Sequence, residues 1–179
     1  HFTNLLDYGN QPSTHIVHIF NYIGKPWLTQ KWVHAIMKQC KSDITPYAGY
    51  GGDEDQGMMG SLNVLMAIGL FQMRGGCDID PVYELTSPIF DRITIQLDPN
   101  YYGGKEISIE TSGKGTYVQS AKLNGDALER CWFRHSEIRN GAQIEVALGV
   151  EPNVKWGVDV RDWLDYRSVA YSAYCVVMK

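Results

Sequence analysis

The residues with the clearest capacity for chemistry lie in a loop at positions 51–57, Gly-Gly-Asp-Glu-Asp-Gln-Gly. Glycine has no Cβ, so these glycines let the backbone approach a ligand closely. Asp53 and Asp55 are two residues apart and point to the same side if the loop is extended. An apolar segment, 58–71, follows directly, and the positive end of a helix keeps nearby carboxylates ionised. The pattern suits a general base, a pair of groups that positions water, or a cation site.

The same loop also has a purely structural interpretation. Asp and Glu are common caps at the start of a helix, and Gly-Asp sequences are ordinary turns. The loop alone therefore leaves a chemical role and a capping role both open.

Length and composition indicate a folded protein without an evident nucleic-acid partner. The chain has 179 residues, 44% of them apolar and 20% charged, which is enough for one ordinary domain or two small ones. The formal net charge is -4, and the 16 basic residues form no basic stripe, which argues against nucleic acid. No apolar run is as long as a membrane span, which needs about 18 residues. The N-terminus at His1 has no signal-peptide pattern, and we expect the chain to be cut from a larger protein.

Before residue 78, apolar residues recur at helical spacing. One predicted helical face consists of Ile16, Ile19, Phe20 and Ile23. Residues 24–26, Gly-Lys-Pro, should end that helix. Thr29 is the expected N-cap of a second helix. Its inward residues are predicted to be Trp32, Val33, Ile36 and Met37.

A third helix is predicted in the apolar segment 58–71. It has so little polar surface that we expect it to be buried all round. Its N-terminal end would then open into an interior or a cleft, which would place Asp53 and Asp55 there.

After residue 78, apolar and polar residues alternate with the period of a β-strand. The alternating sets are Ile93, Ile95 and Leu97, then Ile107 and Ile109, then Ile144, Val146 and Leu148. Segment 117–123 runs into Asn124-Gly125, a strong hairpin pattern, and 131–134 is the expected return strand. Helices followed by strands, without alternation of the two, predict an α+β fold with an antiparallel sheet or sandwich.

These patterns predict three regions. Residues 1–78 hold too few helices to bury their own apolar faces, so we expect them to be the end of a larger helical domain. Residues 79–157 form the β region. Residues 158–179 match neither pattern and make a tail of unknown role.

Several short motifs occur in an order that resembles one known family. They lie at residues 8–13 (Tyr-Gly-Asn-Gln-Pro-Ser), 21–27, 52–57, 87–91, 117–120, 123–125, 135–136 and 152–153. In this order they resemble the C-terminal part of the glycoside hydrolase family 92 exo-α-mannosidases. The resemblance extends over nearly the whole chain up to Gly157.

The resemblance implies a fold and an activity. It implies that residues 1–78 are the C-terminal helices of an (α/α)6 barrel, followed by β-sandwich-like structure. It implies calcium-dependent removal of terminal α-mannose from glycans with inversion of the anomeric centre. It also implies a secreted or periplasmic location.

The resemblance further implies roles for the acidic loop. Asp55 becomes the candidate general base, and Asp53 its partner in holding the attacking water. An inverting glycosidase also needs an acid, about 6.5–9.5 Å from the base. That acid is expected upstream of this chain, so we expect the chain to need the rest of its own barrel as a partner and to be inactive alone.

Candidate sugar contacts lie near the start of the chain. Asn10 and Gln11 are candidates for the sugar or calcium shell, and the alternative for them is a polar turn before a helix. His15 is a candidate sugar contact, although for both His15 and His18 a partly buried, hydrogen-bonded histidine is the favoured alternative. The sequence assigns no metal ligand.

Three positions depart from the family pattern. Gln11 replaces the usual Glu, Thr14 replaces the first of two His, and Met58 replaces a common Gln. A neutral amide binds a cation less strongly than a carboxylate does, so altered or lost activity is one hypothesis. A rival hypothesis from another class makes residues 79–179 a non-catalytic carbohydrate-binding or scaffolding β-module. It would place a sugar on an aromatic sheet face, and the acidic loop would only cap a helix.

Overall fold

The computed structural model describes residues 8–39, 57–103 and 105–159. Two 3-10 helices, Gln11–Ser13 and Ile16–Ile23, open this part of the chain. The α-helices are α1 (Pro26–Gln39), α2 (Met58–Ile68), α3 (Pro99–Tyr102) and α4 (His135–Ile138). The strands are β1 (Leu70–Phe71), β2 (Val82–Leu85), β3 (Arg92–Gln96), β4 (Glu106–Gly113), β5 (Tyr117–Leu123), β6 (Asp126–Ala127), β7 (Trp132–Arg134) and β8 (Ala142–Gly149).

The strands form two sheets. One has three strands in the order β1-β2-β7, and the other has five in the order β3-β4-β8-β5-β6. The predicted strands around Ile93, Ile107 and Ile144 are confirmed. The prediction of a wholly antiparallel sheet is wrong, because β4 and β8 pair in parallel. The chain between them crosses over through β5, β6 and β7, which lets β8 run in the same direction as β4.

The hairpin at Asn124-Gly125 is confirmed, but its return strand is not the predicted one. Asn124 (φ 54°) and Gly125 (φ 90°) both have positive φ, as a tight two-residue hairpin turn requires. The returning strand is β6, which pairs with β5. Segment 131–134 contributes β7, which pairs with β2 in the other sheet. After β6 the chain turns inward because Leu128 and Cys131 are buried in the core.

The segment Ile16–Ile23 is helical as predicted, but the prediction that Ile16, Ile19, Phe20 and Ile23 share one face is wrong. Ile19 and Ile23 are each 46% exposed, whereas Val17, His18 and Asn21 are buried. The helix is a 3-10 helix with about three residues per turn, so residues three apart lie above one another. The four-residue steps on which the prediction depended therefore do not share a face.

Helix α1 begins earlier than predicted. It starts at Pro26, a residue favoured in the first turn of a helix. Thr29 is therefore inside the helix rather than its N-cap, and its buried hydroxyl donates a hydrogen bond to the Val17 carbonyl at 2.9 Å. The predicted burial of Val33 and Ile36 is confirmed, since both are fully buried.

Helix α2 is confirmed but is shorter and less buried than predicted. It ends at Ile68, and Leu70 and Phe71 belong to β1. Met59, Leu62 and Met66 are buried, whereas Val64 is 60% exposed. The prediction of burial all round is wrong for this part of the chain, because the described residues cover only one side of the helix.

The buried residues form two clusters. The larger joins both sheets through fully buried side chains, Leu85, Ile109, Phe133 and Ile144. The smaller packs α1 against α2. The fold is mixed, with two sheets and few helices. The (α/α)6 barrel and the domain boundary at residue 78 stay predictions. Residues 160–179, most of the predicted tail, lie outside the described residues. Among the described helices, none has the length and apolar character needed to cross a membrane.

Candidate functional site

A buried carboxylate joins the helical and strand parts of the molecule. Glu84, in β2, is 1% exposed. Its Oε2 accepts a hydrogen bond from Asn21 Nδ2 at 2.5 Å and is hydrogen-bonded to His18 Nδ1 at 3.0 Å. Both partners lie on the 3-10 helix Ile16–Ile23, three residues apart. The three-residue repeat of that helix brings both side chains to the same carboxylate oxygen.

The His18 ring is held on a second side by an aromatic contact. It stacks on Phe71 in β1, with ring centroids 3.6 Å apart and planes 13° apart. With Glu84 ionised, His18 Nδ1 carries the donated proton, an assignment that follows from the hydrogen-bond network. The favoured alternative of a hydrogen-bonded His18 is confirmed, although the ring is fully rather than partly buried.

The next row of side chains on the same 3-10 helix borders an open cavity. The cavity has a volume of about 440 Å³ and is lined by His15, Ile19, Tyr22 and Met73. Burial raises the pKa of the Tyr22 hydroxyl, and the negative charge of Glu84 raises it further. The hydroxyl also donates a hydrogen bond towards the Glu84 carboxylate, so its proton is directed at Glu84 and its oxygen is the atom that can accept a hydrogen bond. The cavity combines apolar side chains with polar groups, as ligand pockets commonly do.

Of the three predicted sugar contacts, only His15 lines this cavity. Asn10 and Gln11 are exposed at the start of the first 3-10 helix, and neither is among the residues that line the cavity. Thr14 is buried and donates a hydrogen bond to the Gln11 carbonyl at 3.1 Å, which holds the turn. His15 lines the cavity and is exposed, so the alternative of a partly buried His15 is wrong. The binding roles of Asn10, Gln11 and His15 stay predictions.

The acidic loop cannot be placed beside this cavity. Asp53 and Asp55 lie outside the described residues, and their catalytic roles stay predictions. Within residues 8–39, 57–103 and 105–159, no three His, Cys, Asp or Glu side chains converge as a metal site would require.

The sequence analysis did not single out Asn21, Tyr22, Met73 or Glu84 as site residues. Two of them carry a pattern that points to a buried polar role. Asn21 interrupts an apolar run between Phe20 and Tyr22, and Glu84 is the one charged residue of β2. A polar residue at a position that the local period buries is uncommon without a partner.

A second cavity, of about 280 Å³, lies on the five-stranded sheet. Its lining consists of Glu110, Thr111, Ser112, Ser120, Ala121, Lys122, Glu145, Val146 and Ala147. None of these is aromatic, so this surface lacks the stacking platform that the β-module hypothesis requires.

Comparison with known proteins identifies the family. The model of the glycosyl hydrolase family 92 catalytic domain matches residues 1–150. The chain belongs to this family. The family 92 chain is also 30% identical, over 164 residues, to an uncharacterized secreted glycosidase of Arthroderma benhamiae. That match covers 90% of the chain and 20% of the relative.

Solved structures of the same family have a similar fold. A family GH92 α-mannosidase of Bacteroides thetaiotaomicron is 26% identical with a TM-score of 0.76, over 88% of this chain and 20% of that one. A family GH92 inverting mannosidase of the same organism is 29% identical with a TM-score of 0.74, over 87% of this chain and 20% of that one. The family 92 chain thus spans about a fifth of the length of these relatives.

Proposed function

We propose that this chain is the C-terminal portion of the catalytic region of a calcium-dependent, inverting exo-α-mannosidase that removes terminal α-mannose from glycans. The observation that carries the proposal is the match of residues 1–150 to the family 92 catalytic domain. The similarity to an inverting mannosidase at 29% identity supports the same stereochemical course. The similarity to a secreted glycosidase supports a secreted or periplasmic location.

In this proposal Asp55 is the general base and Asp53 helps it to hold the attacking water. An inverting reaction places the water on the face of the sugar opposite the leaving group, with the acid about 6.5–9.5 Å from the base. The acid comes from the part of the barrel upstream of this chain, which is its partner. His15, Asn10 and Gln11 contact the terminal mannose.

Calcium dependence is part of the proposal, but the described residues do not make a calcium site by themselves. Calcium takes about six to eight oxygen ligands. Asn10 and Gln11 offer amide oxygens on an exposed turn, which suits calcium chemically. No carboxylate cluster accompanies them among the described residues. Most of the ligands would therefore come from other parts of the protein, and no step of the reaction is assigned to the ion.

The experiment that tests the proposal is an assay of free mannose released from an α-1,2-linked mannobiose by the full-length protein. Asp55→Asn should abolish release, because an amide cannot accept the proton of the attacking water. Asp126→Asn, at the exposed β5–β6 turn, is the matched control and should keep parental activity. Turnover by Asp55→Asn at the parental rate would remove Asp55 from its role.

Calcium dependence is tested separately in the same assay. Chelation should stop mannose release, and added calcium should restore it. Release that is unchanged after chelation would contradict the calcium part of the proposal and leave the assignment of Asp55 standing.

A further inference from the structure

The 3-10 helix Ile16–Ile23 presents two different rows of side chains. His18 and Asn21 lie in one row and meet Glu84. Ile19 and Tyr22 lie in the next row and line the cavity, together with His15 just before the helix. The Tyr22 hydroxyl also reaches Glu84. In an α-helix, residues three apart are offset by about 60°, whereas in a 3-10 helix they lie above one another. A change from 3-10 to α-helical winding would therefore rotate the cavity row relative to the row that meets Glu84.

Glu84 is placed to maintain that winding. Its Oε2 is hydrogen-bonded to both His18 and Asn21, which lie directly above one another in the 3-10 winding. Continuous 3-10 helices longer than about four residues are uncommon, because their hydrogen-bond geometry is poor. This helix has eight residues, so its winding needs support from outside the helix.

Burying a charged carboxylate is also costly for folding. A buried ion pair is often no more stabilising than apolar residues of similar volume, because of the desolvation that each charge suffers. The Glu84 Oε1 and Asn21 Oδ1 atoms are buried and lack a hydrogen bond within the part of the chain that the structure describes. A gain in folding stability is therefore a weak explanation for the buried cluster of Glu84, His18 and Asn21. Holding the helix in one specific geometry is the stronger explanation.

We propose that Glu84 is a positioning residue: through His18 and Asn21 it fixes the 3-10 helix so that Tyr22 and His15 line one wall of the cavity and contact the sugar. This inference rests on the proposed function and adds Tyr22 to its sugar contacts. The Tyr22 hydroxyl directs its proton to Glu84 and its oxygen accepts a hydrogen bond from a sugar hydroxyl, while Ile19 and Met73 pack against the apolar face of the ring.

The test is a double-mutant cycle in the full-length protein, read as kcat/KM for mannose release. Tyr22→Phe alone should lower kcat/KM about tenfold, the cost of one hydrogen bond. Glu84→Leu alone should lower it at least tenfold. In the background of Glu84→Leu, Tyr22→Phe should cost less than twofold, because the hydroxyl is no longer in place. Because Tyr22 also interacts with Glu84, the same cycle is measured for the free energy of unfolding, where a purely structural contact would appear as well. The inference predicts non-additive losses in kcat/KM for variants that remain folded, and additive losses would overturn it.

A conservative variant and a control sharpen the cycle. Glu84→Gln keeps an acceptor oxygen for both His18 and Asn21 and should stay within about threefold of the parent in kcat/KM. Equal losses for Glu84→Gln and Glu84→Leu would contradict the hydrogen-bond account. Glu145→Gln, a partly exposed carboxylate on β8, should leave activity unchanged. If Glu84→Leu does not fold, Asn21→Ala takes its place in the cycle.

A second measurement separates this inference from the proposed function. Absence of mannose release by the parent protein would contradict the function. Hydrogen exchange of the amides of residues 16–24 does not depend on turnover. Exchange there should be at least tenfold faster in Glu84→Leu, or in Asn21→Ala, and unchanged in β8. Equal exchange rates in parent and variant would overturn the positioning role whether or not the enzyme is active.

Discussion

Glu84 and His18 are 66 residues apart in the chain and meet in the core, with 3.0 Å between Glu84 Oε2 and His18 Nδ1. A second buried hydrogen bond also joins a helix to a distant strand. The Gln30 Oε1 in α1 accepts it from the Val118 amide in β5 at 3.1 Å. These bonds connect helices to strands in both sheets. The helical segment that lines the cavity is therefore held against the three-stranded sheet, and α1 against the five-stranded sheet, by specific polar contacts as well as by apolar packing.

The first prediction concerns the stability supplied by Asn21. Asn21→Ala removes a donor to the buried Glu84 carboxylate, and hydrogen bonds to charged groups contribute about 1.5–3 kcal/mol. We expect the free energy of unfolding to fall by about 2–3 kcal/mol in urea denaturation followed by circular dichroism. Asn140→Ala, at an exposed turn, is the matched control and should change it by less than about 0.5 kcal/mol. Equal stability of the two variants would show that the bond from Asn21 contributes nothing.

The second prediction compares two glycines with positive φ. A Cβ at Gly113 (φ 75°) would lie 2.4 Å from the Leu148 carbonyl oxygen of the paired strand β8, whereas a Cβ at Gly125 (φ 90°) meets nothing within 4 Å. Gly125→Ala should therefore lower the free energy of unfolding only by the backbone strain, about 1 kcal/mol. Gly113→Ala should cost at least about 2 kcal/mol more, because β4 and β8 must separate. Equal midpoints in thermal denaturation would contradict the close approach of these strands.

The third prediction concerns pH and His34 in α1. Its Nε2 lies 2.9 Å from the Ser87 carbonyl oxygen and 2.8 Å from the Ser87 hydroxyl. Burial lowers the pKa of His34; the hydrogen bond to the Ser87 carbonyl opposes this, and the charge of Lys38 adds to it. The unfolded chain, with a pKa of about 6.5, therefore binds the proton more readily than the folded one. The stability linked to this group is fully present above that pH and is lost as the pH falls towards the lower folded-state pKa.

The measurement for His34 is the free energy of unfolding at about pH 7 and about pH 5. The parent protein should lose stability on acidification, and His34→Gln, which cannot titrate, should lose less. A loss of the same size in both proteins would show that His34 does not contribute to the pH dependence.

The sequence predicts the strands well because their burial alternates. Ile107 and Ile109 face the core of a sheet, and the period of two fixes which side chains point inward. The same period does not reveal whether two paired strands run parallel or antiparallel. The parallel pairing of β4 with β8, and the transfer of 131–134 to the other sheet, depend on how the chain crosses between the sheets.

The helices were predicted less well because of a polar cluster that sequence spacing does not reveal. Ile19 and Ile23 fit an α-helical stripe, yet the helix winds with three residues per turn around the contacts of His18 and Asn21 with Glu84. The partner that stabilises this winding is more than 60 residues away in sequence. The motif around Asn10 led to His15, which lines the cavity, but not to Tyr22 or Glu84. The sugar contact of His15 stays a prediction.

The central claim is that the protein inverts an α-mannoside, and the most direct measurement is proton NMR of the first mannose anomer released by the full-length protein from an α-1,2-linked mannobiose. The claim predicts that β-mannose appears first and then mutarotates to the equilibrium mixture. Initial release of α-mannose would contradict inversion and the role of Asp55 as a base that activates water. Absence of any mannose would contradict the proposed activity itself.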